Sequence, residues 1–137
     1  MMSLMNVFDV SGSAMAAQTI RMNTVASNLA NASTAASTAE EAYRAKNPIF
    51  QTVFRSAFDE ANAGVRVTDI AESNAEPQRV FKPGHAAADE DGYIYMSNVN
   101  SVDELVNMIS ASRSYQSSVE VLNTSKELLM RTLSLGQ

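Results

Sequence analysis

From Val102 to Leu135 apolar side chains recur at alternating intervals of three and four. Starting at Leu105, the series runs through Met108, Ser112, Tyr115, Val119, Leu122, Lys126, Leu129 and Leu133. No Pro or Gly intervenes before Gly136, so the pattern predicts one helix of about 33 residues, roughly 50 Å long. Ser101 with Glu104 fits a capping box at its start. A weaker stripe of the same rhythm, Phe8, Gly12, Met15, Thr19, Met22, Ala26 and Leu29, predicts a second helix. It begins near Asp9, where Asp9 or Ser11 suits the first turn, and ends around residues 31–33, near Asn28 and Asn31.

Between the helices the periodicity changes. Residues 32–42 hold no large apolar side chain and read as a surface linker. Ile49, Phe50, Val53, Phe54 and Phe58 then cluster after Pro48. Val65 to Ile70 alternates as a half-exposed strand does, with Asn62-Ala63-Gly64 as a turn ahead of it. Arg79 to Lys82 alternates and stops at Pro83-Gly84, and Asp91-Gly92 turns into the strand Tyr93 to Met96. The expected fold is therefore mainly α with a small β-rich insert: helical segments at 1–34 and 99–137, a linker at 35–42 and a β-rich unit at 43–98.

Two long helices with narrow apolar stripes cover each other poorly. Ordering each residue costs about 1–2 kcal/mol of backbone entropy, while a large side chain returns about 1.5–3 kcal/mol only when fully buried. An intramolecular bundle is one solution. The off-seam residues Val106, Ile109, Val121 and Leu128 favour another, in which neighbouring molecules cover the remaining faces and the long N- and C-terminal helices form a coiled-coil core in a helical assembly. The expected subunit-interface residues are Met15, Met22, Val25, Asn28, Leu29 and Asn31 in the first helix. In the second they are Leu105, Ile109, Arg113, Tyr115, Val119, Leu122, Asn123, Leu129 and Leu133. Asn28 and Asn123 are candidates to fix register, as a lone polar residue does in coiled coils. Asn31 suits a helix cap, and Arg113 suits a pair with a neighbour's carboxylate. Flexible methionines among these suit contacts with non-equivalent neighbours.

Composition narrows the chemistry. The 137 residues carry a net charge of -5 and include no Cys and one His. Acidity argues against a nucleic-acid partner, which requires clustered Lys and Arg. Without Cys there is no disulfide framework and no thiolate metal site. The N-terminus lacks the pattern of a cleaved secretory signal, and no apolar run is long enough to span a bilayer. His85, beside Asp89, Glu90 and Asp91, reads as part of a solvated turn, because calcium-loop spacing is missing. No Gly-x-Ser-x-Gly elbow and no phosphate loop occurs. No catalytic residue, cofactor site or metal site is assigned, and no small-molecule substrate is expected.

The segment Ala26-Ser27-Asn28-Leu29-Ala30-Asn31-Ala32-Ser33-Thr34 resembles a signature near the N-terminus of bacterial flagellar axial proteins. The likeness continues through Phe8 to Ala14 and Tyr43-Arg44-Ala45-Lys46. It is densest at Gly92-Tyr93, Asn98-Val99, Ser110 to Gln116, Val119 to Thr124 and Leu133 to Gln137. Together these segments are similar to flagellar basal-body rod proteins, of the proximal rod C type. The chain departs from that pattern at Glu40-Glu41-Ala42, at Ser97 and at Ser117-Ser118. The resemblance implies a non-enzymatic subunit that leaves the cell through the flagellar type III export apparatus without a cleaved signal peptide. It would polymerise with copies of itself and with other rod proteins, near the membrane-ring components. The product would be a periplasmic drive shaft that transmits motor torque for motility. The alternatives are another flagellar axial protein of the same family, or a soluble helical adaptor or export chaperone.

Overall fold

The computed structural model describes residues 4–54 and 63–137. Two helices, α1 (Leu4–Ala30) and α2 (Ser101–Leu135), enclose five strands in sequence. These are β1 (Ala35–Ala36), β2 (Lys46–Phe54), β3 (Ala63–Glu72), β4 (Gln78–Phe81) and β5 (Tyr93–Met96). All pairing is antiparallel, in one sheet of order β1-β5-β4 and one hairpin of β2 with β3. The expectation of a mainly α chain with a small β insert holds. The apolar run at Ile49 to Phe54 belongs to β2, while Phe58 lies outside the described residues, as does Asn62 of the expected turn. Ala63 and Gly64 are already strand. Within the stretch read as linker, Ala35 and Ala36 pair with Met96 and Tyr95.

Helix α1 starts about five residues earlier than the polar pattern suggested, so Asp9 and Ser11 lie inside it. At α2 the cap is Asn100 and not Ser101. Its side-chain oxygen accepts from the amides of Val102 and Asp103, at 3.0 and 3.4 Å. Asn in extended backbone serves this position as well as Ser, and Asp103 and Glu104 then complement the positive end of the helix.

The helices run antiparallel. Ser97, just before α2, donates to the Ala32 carbonyl just after α1, and further along α2 Asn107 accepts from the Arg21 guanidinium at 3.1 Å. The fully buried residues of α2 are Glu104, Ala111 and Ser125, one residue before the expected Leu105, Ser112 and Lys126. Of the nine expected seam positions, Met108, Ser112, Tyr115, Val119, Leu122 and Leu129 are half-buried, while Leu105, Lys126 and Leu133 are exposed. The reason is packing distance, because small side chains let two helices approach closely. On α1 the expected stripe is rotated likewise: Gly12, Thr19 and Ala26 are exposed, and Ser11 and Val25 are buried. The seam is also partly polar. Gln18 Oε1 and Glu104 Oε2 are buried without a hydrogen-bond partner, which costs about 1–3 kcal/mol for each such group.

The opposite side of α1 takes the hairpin. Ser13 Oγ accepts from the Val65 amide at 3.1 Å, and a Cβ added at Gly64 would stand 3.1 Å from that same oxygen. Pro48 is tolerated in β2 because a two-stranded hairpin leaves edges unpaired. In the other sheet, Ile94 is 1% exposed and anchors the packing, with the Arg79 guanidinium over the Tyr93 ring and Phe81 tilted against it. Asp89 accepts from the Asp91 and Tyr93 amides and shapes the turn before β5, while His85 accepts from the Ala87 amide in an exposed turn.

Gly92 has φ +83°, and a Cβ there would meet Phe81 Cε2 at 2.9 Å and Pro83 Cβ at 3.0 Å. Gly92→Ala is expected to destabilise the sheet by at least about 1–2 kcal/mol, read as a lower urea midpoint for the tyrosine signal. An unchanged midpoint would contradict this packing.

Candidate assembly surface

A polar cluster at the base of the helix pair sets the hairpin's angle. Asn28, 0% exposed, uses its whole amide: the oxygen accepts from the Lys46 backbone amide and the Tyr43 hydroxyl, both at 2.9 Å. Its nitrogen donates to the Lys46 carbonyl at 2.8 Å. Ser27 hydrogen-bonds the same Tyr43 hydroxyl, and the Lys46 ammonium lies 5.7 Å from the Tyr43 ring centre. Asn98 continues the cluster, accepting from the Ala45 amide at 2.6 Å and donating to the Ala75 carbonyl at 2.8 Å. The Arg44 guanidinium also donates to the Ala75 carbonyl. Asn31 closes α1, donating its side-chain N–H to the Ser27 carbonyl, and Thr34 donates its hydroxyl to the Asn31 carbonyl.

Three stretches distant in sequence thus meet: 26–34, Tyr43 to Lys46, and Asn98. Asn28 was expected to fix register by bonding across the helix seam or to a neighbour's backbone; its hydrogen bonds run instead to Tyr43 and Lys46 of its own chain. Val25 is likewise enclosed, at 4% exposed.

The other expected interface residues divide by location. Met15, Met22, Leu29, Tyr115, Val119, Leu122 and Leu129 are half-buried at or beside the α1–α2 contact. Leu105, Ile109, Arg113, Asn123 and Leu133 are exposed on α2. Of these, Leu105, Ile109, Asn123 and Leu133 belong to a second seven-residue series on the outer side, with Val102, Gln116, Lys126 and Met130, and with the half-buried Ser112 and Val119 where it borders the inner seam. Val102 is 68% exposed, Ile109 58%, Met130 61% and Leu133 60%. Val102, Leu105 and Ile109 at one end and Met130 and Leu133 at the other are apolar, and between them Val119 is apolar among Ser112, Gln116, Asn123 and Lys126. Clusters of exposed apolar side chains like those at its two ends are the kind of surface that marks an interaction site. The residues from Arg131 to Gln137 are all exposed.

A second apolar feature is a cleft of about 430 Å³ between α1 and the hairpin. Val10, Ala17 and Ile20 line one side and Val53, Val65 and Val67 the other, with Asp9 and Arg66 among the lining residues. Among the described residues no cluster of three or more His, Cys, Asp or Glu side chains could hold a metal ion. No helix among them is long and apolar enough to cross a membrane.

Sequence reasoning missed Glu104, Ala111, Ser118 and Ser125 because small or polar residues carry no hydrophobic signal. It also missed Ser13, Tyr43 and Asn98 as cross-links, since their partners lie 52, 15 and 53 residues away.

The two ends of the chain match two family models of flagellar rod proteins. One, described as flagella basal body rod protein, matches residues 8–35. The other, described as flagellar basal body rod FlgEFG protein C-terminal, matches residues 90–135. Among individual relatives, the flagellar basal-body rod protein FlgC of Salmonella typhimurium is 48% identical over 99% of this chain and 100% of its own length. FlgC of Escherichia coli O157:H7 is 49% identical over the same shares, and that of Buchnera aphidicola from Schizaphis graminum is 40% identical. The chain belongs to the FlgC family of flagellar basal-body rod proteins.

Asn28→Ala is expected to cost about 2–4 kcal/mol, because it leaves the Lys46 amide and carbonyl without partners. Tyr43→Phe should cost less, about 0.5–1.5 kcal/mol. Denaturant titration of both variants checks the order, and the reverse order would refute the assignment of Asn28 as the hub.

Proposed function

We propose that this chain is a non-enzymatic structural subunit of the flagellar proximal rod. It polymerises helically with copies of itself and with other rod proteins into a shaft that carries torque through the periplasm. The carrying observation is the outer stripe of α2. A helix of 35 residues has one seam covered by α1 and a second, offset around the same helix, that the described residues leave open. Such a helix is suited to sit between an internal partner and an external one, as in a tube of packed helices. Membership of a rod-protein family supports the same reading.

Energetics favour coupling of folding to assembly. The internal seam is rich in Ala and Ser and holds two buried polar atoms without partners, so α1 and α2 hold each other weakly. Binding a neighbour stabilises the ordered state by mass action, and the chain becomes rigid where it is built in. Weak internal cohesion also suits passage of an extended chain through the flagellar type III export apparatus without a cleaved signal peptide. The membrane-ring components are the neighbours expected at the rod's base. The hairpin, held at a fixed angle by the Asn28 cluster, is the part placed to meet other subunits beyond the helical core.

Two substitutions separate the seams. Ile109→Asp should leave the helix content of the isolated chain unchanged, yet remove it from purified basal bodies and abolish swimming. Leu122→Asp should reduce both helix content and incorporation. Normal swimming by the Ile109→Asp strain would overturn the proposal.

A further inference from the structure

The first turn of α2 buries a group that good packing would not put there. Glu104 is 6% exposed, and its Oε2 has no hydrogen-bond partner among the described residues. Helix α1 is the element packed against α2. It carries one basic side chain, Arg21, which donates to Asn107 one turn further along α2. Residues 101–112 hold no Lys or Arg, so the cation that α1 offers at this height is engaged with a neutral amide. Met108 and Ala111 follow Glu104 on the covered face and are apolar. An apolar side chain of the same length at 104 would keep the contact and remove an acceptor left without a bond. The positive end of α2 offsets part of that cost by favouring an acid nearby, but Asp103 supplies the same benefit from an exposed position.

We propose that Glu104 limits the cohesion of the helix pair, so that α1 and α2 part in the free chain while the sheet stays folded. The base of α2 remains tied when its shaft leaves α1, through Ser97 on the Ala32 carbonyl and Asn98 on the Ala45 amide. Parting at this layer lets the chain exchange its internal contact for contacts with neighbours as it is built in. That second half rests on the rod reading; the first does not. A side chain that breaks local consistency in an otherwise matched seam is the mark of a position kept for use and not for stability.

The test uses the full-length chain, its Glu104→Met variant, and Asp103→Asn as a control that removes an exposed acid from the same turn. In native-state hydrogen exchange, the helix amides of the unaltered chain should exchange at least about ten-fold faster than the hydrogen-bonded amides of β4 and β5. Glu104→Met should slow the helix amides about ten-fold or more, and Asp103→Asn should not slow them. Helix amides as protected as those of the sheet in the unaltered chain would overturn the proposal. So would unchanged or faster helix exchange in Glu104→Met, since the carboxylate would then be holding the pair together. For incorporation, the unaltered and Glu104→Met chains are co-expressed and counted by mass in purified basal bodies. The variant should be under-represented about three-fold or more, because less of it is open at any moment; equal numbers would overturn the link to assembly. Absence of the unaltered chain as well would count against the rod reading, while the exchange rates decide the seam by themselves.

Discussion

Everything in this molecule follows from a mismatch between α2 and what its own chain can cover. Helix α2 is 35 residues long and α1 is 27, and α1 takes only one face of it. That face is lined alternately by side chains such as Leu122 and by small ones such as Ala111 and Ser125. Close approach gains contact over a narrow strip, but it leaves Val102, Leu105, Ile109 and Leu133 in water. A chain built this way is incomplete alone. The apolar area that would normally close a core is displayed outward, and water penalises it until another molecule arrives.

The polar cluster around Asn28 addresses a second problem, that of angle. The hairpin lies along one side of α1, bonded at Ser13 and again at Asn28, and a two-stranded ribbon has little independent stability. Asn28, Tyr43, Lys46 and Asn98 hold its root through directional hydrogen bonds, satisfied almost entirely by backbone groups. Directional bonds fix orientation where a greasy contact would allow sliding, and a subunit with neighbours on several sides needs its parts at constant angles. The angle of the hairpin therefore rests on polar bonds, and the exposed apolar area of α2 is left for the association proposed above.

Much of this could be read from the sequence. The two helices were legible because their periodicity is long, with no Pro in either and no Gly inside α2. Strands β3, β4 and β5 were legible from alternation bounded by Asp91-Gly92 and Pro83-Gly84. The phase of the seam was not. Large residues such as Val119 and Leu105 dominate a hydrophobic pattern, so the reading settled between the inner and outer stripes and mixed members of both. The inner seam is marked by smallness at Ala111, Ser118 and Ser125, and smallness is also what surface positions show. Strand β1 escaped notice because its two alanines carry no β signal and are held only by pairing with Tyr95 and Met96. Asn28 stood out by its place in a recurring segment, but no local pattern could announce that its partners sit at Tyr43 and Lys46.

The open stripe can be probed with single cysteines at Ile109, at Leu133 and at exposed Ser37 as a control, in a chain that has no other thiol. Labelling rates are compared between free chains and assembled basal bodies. On this account Ile109→Cys and Leu133→Cys become strongly protected upon incorporation, by on the order of ten-fold or more, because neighbouring helices cover them. Equal reactivity at both positions before and after assembly would show that the outer stripe of α2 faces water in the rod, and the account would be wrong.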